Sequence, residues 1–375
     1  MSVKTPAQWW QGGQVEGWPR HSWRSILRVA GVRCLLAGDM ACIKTCALTA
    51  SAASTTIAAV LQIRHTLLDP TQVLAGGRPF YVGYKPQLKA ALALGYLAAE
   101  ANKPYSLLLV GLPGTGKTLF PKVLVWELCR AGLEYWSLWI PCGRYAALYR
   151  PDEVIGHLHD VNSKLMEGPQ RMVVVLDEMD AIAPERGDSA SGVTMSHWTL
   201  ETMRSLNERE GARLTVGVSN HPIRVDRAIL NEIGPSMYFD LATDEQATKI
   251  LVRSGVPHAA DVLEKYKGLC VRSGCAYTGR SLQKAAGKVR SLFSCDLDSF
   301  TSDRWASALH AQGGLLASHT VGDYEERNGW VIDPARELVE SLQAIFATLL
   351  NQGVLQEVYD PDEQAGSGMA AEAVQ

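Results

Sequence analysis

Apolar positions in this chain fall into short unbroken runs separated by amphipathic stretches, which is the pattern of a sheet buried on both faces by helices. Five such runs read as strands: Ser106–Val110, Trp136–Ile140, Met172–Leu176, Leu214–Val218 and Ser236–Leu241. Helical spacing occupies the intervals. Gln87–Ala101 is rich in Ala and Leu and is stopped by Asn102-Lys103-Pro104. A helix over 116–131 ends at Gly132, with Pro121 inside it predicting a lost hydrogen bond and a kink. Asp152–Met166 also has helical periodicity. The alternation predicts an α/β fold with a five-stranded parallel sheet and helices on both faces.

The flanks are less regular. Residues 1–25 show neither period, and 26–63 turn apolar. Thr45–Ile63 has no charged residue and reaches about the minimum length of a membrane crossing. It is rich in Ala, Ser and Thr rather than Leu, and Lys44 and Arg64 bracket it, which favours a buried or partner-facing helix over an anchor. Pro70, Gly76, Gly77 and Pro79 mark residues 64–80 as a linker, and Gly313-Gly314 with Gly322 mark another. Asp333-Pro334 has the form of a helix start, with Asp as N-cap and Pro at N1. Leu338, Leu342, Ile345, Phe346 and Leu349 then share one face, and Gly353 ends the helix. Residues 360–375 are small, acidic and polar, a disordered composition.

A length of 375 residues allows two or three domains. The net charge of −3 gives no basic field for nucleic acid or an anionic membrane surface. None of the eight cysteines forms a C-x-x-C pair, so reduced thiols in a cytoplasmic protein are expected.

Two constellations change the reading from fold to chemistry. Directly after the first strand stands Gly111-Leu-Pro113-Gly114-Thr115-Gly116-Lys117-Thr118, which satisfies the phosphate-loop pattern G-x-x-x-x-G-K-[ST]. Glycines let backbone N–H groups close on phosphate oxygens, and the following helix adds its positive end. Lys117 supplies charge to the β- and γ-phosphates, and the Thr118 hydroxyl can ligate Mg²⁺. The phosphate-binding set is therefore Gly111, Pro113, Gly114, Thr115, Gly116, Lys117, Thr118 and Leu119. The third strand ends in Asp177-Glu178, the layout of a Walker B motif. There Asp177 holds the metal and Glu178 polarises the attacking water. Asn220, at the tip of the fourth strand, is placed to help position that water.

Together these residues resemble the AAA+ ATPases, whose motifs read GPPGTGKT and DEIDAIAP. Here Leu112 replaces a proline, and Asp177-Glu-Met-Asp-Ala-Ile-Ala-Pro184 follows the second motif. Val218-Ser-Asn220-His-Pro222 is similar to the family's sensor-1 segment. The resemblance implies a five-stranded AAA+ P-loop NTPase core followed by a small helical lid, with ATP and Mg²⁺ as ligands. Val225–Pro235 and Thr278–Lys284 are similar to segments of pachytene-checkpoint-type remodellers of HORMA-domain proteins. That likeness would make Arg227 a finger reaching into a neighbour's site and Arg280 a sensor of the γ-phosphate. Tyr149 falls near the family's substrate-gripping aromatic, and Gly187–Gly192 near its second pore loop.

The expected organisation is an N-terminal segment (1–80), a nucleotide-binding domain (81–242), a helical lid (243–312), and a C-terminal helix with its tail (313–375). The expected function is ATP hydrolysis by a homo-oligomeric ring, a hexamer, that remodels or unfolds a protein substrate. Nucleic acid and membrane are disfavoured as partners. A DNA-transaction ATPase or a nucleotide-dependent scaffold are the alternatives.

Overall fold

In a computed structural model of the chain, residues 66–148, 153, 156, 171–185, 190–208, 210–294, 297 and 300–358 are described. Thr66–Gln375 forms one compact unit. Thr45–Ile63, Tyr149 and most of Asp152–Met166 lie outside the described residues, as do 360–375. No helix among the described residues is long and apolar enough to cross a membrane.

The five expected strands are present: β2 (Tyr105–Gly111), β3 (Trp136–Pro141), β4 (Met172–Asp177), β5 (Arg213–Ser219) and β6 (Ser236–Phe239). They run parallel in the order β3-β4-β5-β2-β6. Every residue of β5 is buried, and in β2 and β4 only one terminal residue is not. This is why their sequences are continuous apolar runs rather than alternating ones. A sixth strand, β1 (Thr66–Leu68), adds antiparallel to the β3 edge.

Residues 64–80 are thus not the linker that their Pro and Gly content predicts. After β1 comes α1 (Pro70–Ala75), started by an Asp69–Gln72 capping box with Pro70 in its first turn. Pro70 and Gly76 are the end signals of one short helix. Beyond it Arg78 reaches α3 (Phe120–Arg130), where its Nε lies 2.9 Å from the buried Glu127 carboxylate. Pro121 sits in the first turn of α3, which begins later than expected. Its missing N–H falls among the unpaired donors of a helix start, so it kinks nothing.

The lid comprises α7 (Asp244–Arg253), α8 (Ala259–Arg272), α9 (Gly279–Leu292) and α10 (Ser302–Gln312). Trp305, Tyr266, Leu282 and Leu309 fill its own core. A two-stranded ribbon joins β7 (Cys275–Ala276) to β8 (Leu316–Ala317) and leads into α11 (Ser318–Asn351).

That last helix begins fifteen residues before Asp333-Pro334. Asp333 is no N-cap: it lies 3.7 Å from Arg336 within the helix. Pro334 is interior, and the carbonyl it leaves without a donor, four residues back, belongs to the solvent-exposed Trp330. Leu342 and Phe346 from the expected stripe are buried in the same core as Leu88, Leu92 and Val123, while Ile345 remains exposed. The C-terminal helix therefore packs into the sheet domain, against α2 (Lys85–Ala101) and β6.

Candidate functional site

The carboxyl ends of β2, β4 and β5 lie side by side, the edge at which open α/β sheets take ligands. Each delivers one part of the expected chemistry. From β2 comes the phosphate loop. β4 ends in Asp177, and Asn220 directly follows β5, the strand between them.

Lys117 is 97% buried, its Nζ donating to the carbonyl oxygens of Gly111 and Leu112 at 2.7 Å each. Burial pulls this ammonium down to about 7, and Arg280 pushes in the same direction against Asp180 and Asp177. A buried cation facing neutral carbonyls is a site made for an anion. Thr118 Oγ1 donates to Asp177 Oδ1 at 3.2 Å. Desolvation raises the Asp177 carboxyl, partly offset by that hydrogen bond. One hydroxyl and one carboxylate converging at this distance form a hard oxygen donor pair suited to Mg²⁺.

Glu178 follows with an exposed side chain and a left-handed backbone (φ 55°), opening the short 3-10 turn Met179–Ala181. Asp180, which sequence reasoning assigned no role, accepts from the Asn220 N–H at 3.4 Å. It ties the β5 tip to the segment after β4.

The lid closes over the loop from one side. Thr278 caps α9 through a capping box with Ser281, and the next N–H but one, that of Arg280, donates to the Gly114 carbonyl at 3.2 Å. Contact is so close that a methyl at Gly114 would lie 2.6 Å from Thr278 Oγ1. Arg280 is thereby held at the phosphate loop. Arg227 is the first residue of α6 (Arg227–Ile233), exposed, behind the buried N-cap Asp226. Among the described residues nothing brings it to the Lys117–Asp177 centre, and Tyr149 lies outside them.

A further wall was not legible in the sequence. Tyr81 and Tyr84 stand beside Gly116, and Gly83 packs against the Gln246 side chain of the lid. Here a cavity of about 330 Å³ is lined by Phe80, Tyr81, Gly83, Glu245, Gln246 and Lys249. The only available signal was Gly83 ahead of α2, which is too common to single out.

Residues 107–241 match the family described as ATPase family associated with various cellular activities (AAA). The chain carries an AAA ATPase domain. That AAA domain is similar to fidgetin-like protein 1 of Xenopus laevis, 22% identical over 217 residues, covering 54% of this chain and 31% of the relative. It is also similar to the ATP-dependent zinc metalloprotease FtsH of Syntrophus aciditrophicus, 29% identical over 144 residues, covering 36% and 18% of the two chains. The chain thus spans less than a third of either relative. The crystal structure of the FIGL-1 AAA domain shares the fold, with a TM-score of 0.53 and 18% identity over 71% of this chain and 92% of that one.

Proposed function

We propose that this chain binds ATP with Mg²⁺ between the phosphate loop and the lid, hydrolyses it, and uses the cycle to remodel a protein substrate as a homo-oligomeric ring. The observation that carries the reading is the convergence of buried Lys117, the Thr118–Asp177 pair and the α9 N-terminus on Gly114. In this reading Lys117 and the loop N–H groups hold the phosphates, and Arg280 reports their presence to the lid. Thr118 and Asp177 hold the Mg²⁺, which when bound neutralises charge developing on the phosphoryl oxygens. Glu178 polarises the attacking water, and Asn220, braced by Asp180, orients it. The Tyr81–Tyr84 segment and Gln246 flank the nucleobase.

Arg227 is exposed on its own subunit and is assigned to a neighbour's site, which motivates the ring, a hexamer. The name of the FtsH relative joins ATP dependence to proteolysis, which supports a protein rather than DNA as substrate. Tyr149 is assigned to grip that substrate. Free thiols at Cys129, Cys142, Cys270 and Cys275 accord with the cytoplasm.

The test is Glu178→Gln. It should retain ATP, lose turnover and, with ATP bound, have the solution mass of a hexamer. Turnover at the wild-type rate would remove Glu178 from its role, and a strict monomer across micromolar concentrations would remove Arg227 from its own.

A further inference from the structure

We infer that Gly143 is the positioning residue for Glu178: the missing side chain at 143 forms the seat that holds the Glu178 carboxylate. The inference rests on the reading of Glu178 as the group that polarises water.

Register sets up the encounter. β3 pairs with β4 so that Pro141 stands opposite Asp177. The next residues on each side, Cys142-Gly143 opening α4 (Cys142–Leu148) and Glu178 opening the 3-10 turn, leave the sheet together. Glu178 is one of five non-glycine residues with positive φ among those described. Such a conformation is unfavourable for a residue with a Cβ and persists where surrounding structure imposes it. Its effect here is to send the side chain sideways onto α4.

Contact with Gly143 runs the length of that side chain. A methyl built at Gly143 would overlap Glu178 Oε2 outright and would lie 2.9 Å from its Cδ and 3.0 Å from its Cβ. No rotation of the carboxylate alone relieves three such contacts, because one of them is to the Cβ. Backbone φ at Gly143 is ordinary, so the glycine is required by space and not by conformation. Beside it the Cys142 side chain is fully buried.

The experiment is a double-mutant cycle of Gly143→Ala and Glu178→Asp, read by ATP turnover, nucleotide affinity and melting. Gly143→Ala should lower kcat by about tenfold to a hundredfold, the effect of misplacing a catalytic group by about 1 Å, with KM and nucleotide Kd within about twofold of wild type. In the Glu178→Asp background the shorter carboxylate leaves room for the methyl, so adding Gly143→Ala should change kcat by less than about twofold. Equal losses in both backgrounds would overturn the inference, as would wild-type turnover in Gly143→Ala. So would a fall in melting temperature large enough to account for the lost turnover. If wild type and Glu178→Gln turn over alike, the reading of Glu178 itself fails. If those two differ while Gly143→Ala matches wild type, only the seat is wrong.

Discussion

Lys117→Met should stabilise the protein in the absence of nucleotide, by an amount that shrinks as pH rises. The lysine is held at about 7 in the folded chain against 10.5 as a free side chain. Each pK unit corresponds to about 1.4 kcal/mol, so keeping this group folded costs about 4 kcal/mol at pH 7 and about 2 kcal/mol at pH 9. The sign follows from proton counts. Between about pH 7 and 10.5 the unfolded chain binds more protons than the folded one, so wild-type stability rises with pH across that window. Below about pH 7 the full penalty applies.

Methionine matches the length of the stem but removes the donor to Gly111 O; Leu112 O keeps a bond from Thr115 Oγ1 at 2.9 Å. One orphaned carbonyl returns about 1–3 kcal/mol of the gain. The net gain is therefore about 1–3 kcal/mol at pH 7 and near zero at pH 9. Urea unfolding of both proteins at the two pH values measures it. The narrowing of the gap, about 2 kcal/mol, does not depend on the hydrogen-bond correction. An unchanged gap would mean that the ammonium is solvated, and would remove the argument that the loop is built around a buried cation.

Two further outcomes are expected. Glu127, 1% exposed, lies 2.9 Å from both Arg78 and Arg130. Glu127→Ala removes the buried carboxylate that both half-buried guanidiniums contact and should cost about 3 kcal/mol in urea unfolding; a loss under about 1 kcal/mol would refute the pairing. Gly114→Val puts branched carbons against Thr278 and Arg280 and should weaken nucleotide affinity by about tenfold or more in a fluorescence titration. Unchanged affinity would mean that α9 takes no part in holding nucleotide.

How much of the molecule the sequence discloses depends on how far apart the interacting residues are. Gly111–Thr118 and Asp177-Glu178 are legible because each motif is contiguous and sits at the end of an apolar run. Strands buried on both faces announce themselves by composition alone. Gly83 with Gln246, and Arg78 with Glu127, are pairs of ordinary residues joined only by the fold, so nothing local marks them. Asp333-Pro334 misleads for another reason. A capping pattern and an interior salt bridge use the same residue, and only the packing of Tyr324, Asn328 and Val331 upstream decides that the helix is already under way. Gly143 is a glycine among many, and its role emerges from the atom it leaves room for.

The long helix α11 changes what the lid can do. Its first N–H, at Ser318, is held by the Gly274 carbonyl of the lid ribbon. Further along, Glu325 accepts from the Tyr238 hydroxyl of β6, and Arg336 lies over the Tyr238 ring. Past its end, Glu357 pairs with Lys89 and its carbonyl accepts from Arg130. The lid is thus moored to the sheet twice, by the chain leaving β6 and by a stiff rod. A body moored at two separated points keeps one easy motion, rotation about the line between them. Rotation about that line would carry Arg280 toward and away from the phosphate loop along an arc. Because α11 packs along α2, the tilt of the lid would also be felt there, in the helix whose first residues line the cavity beside Tyr84.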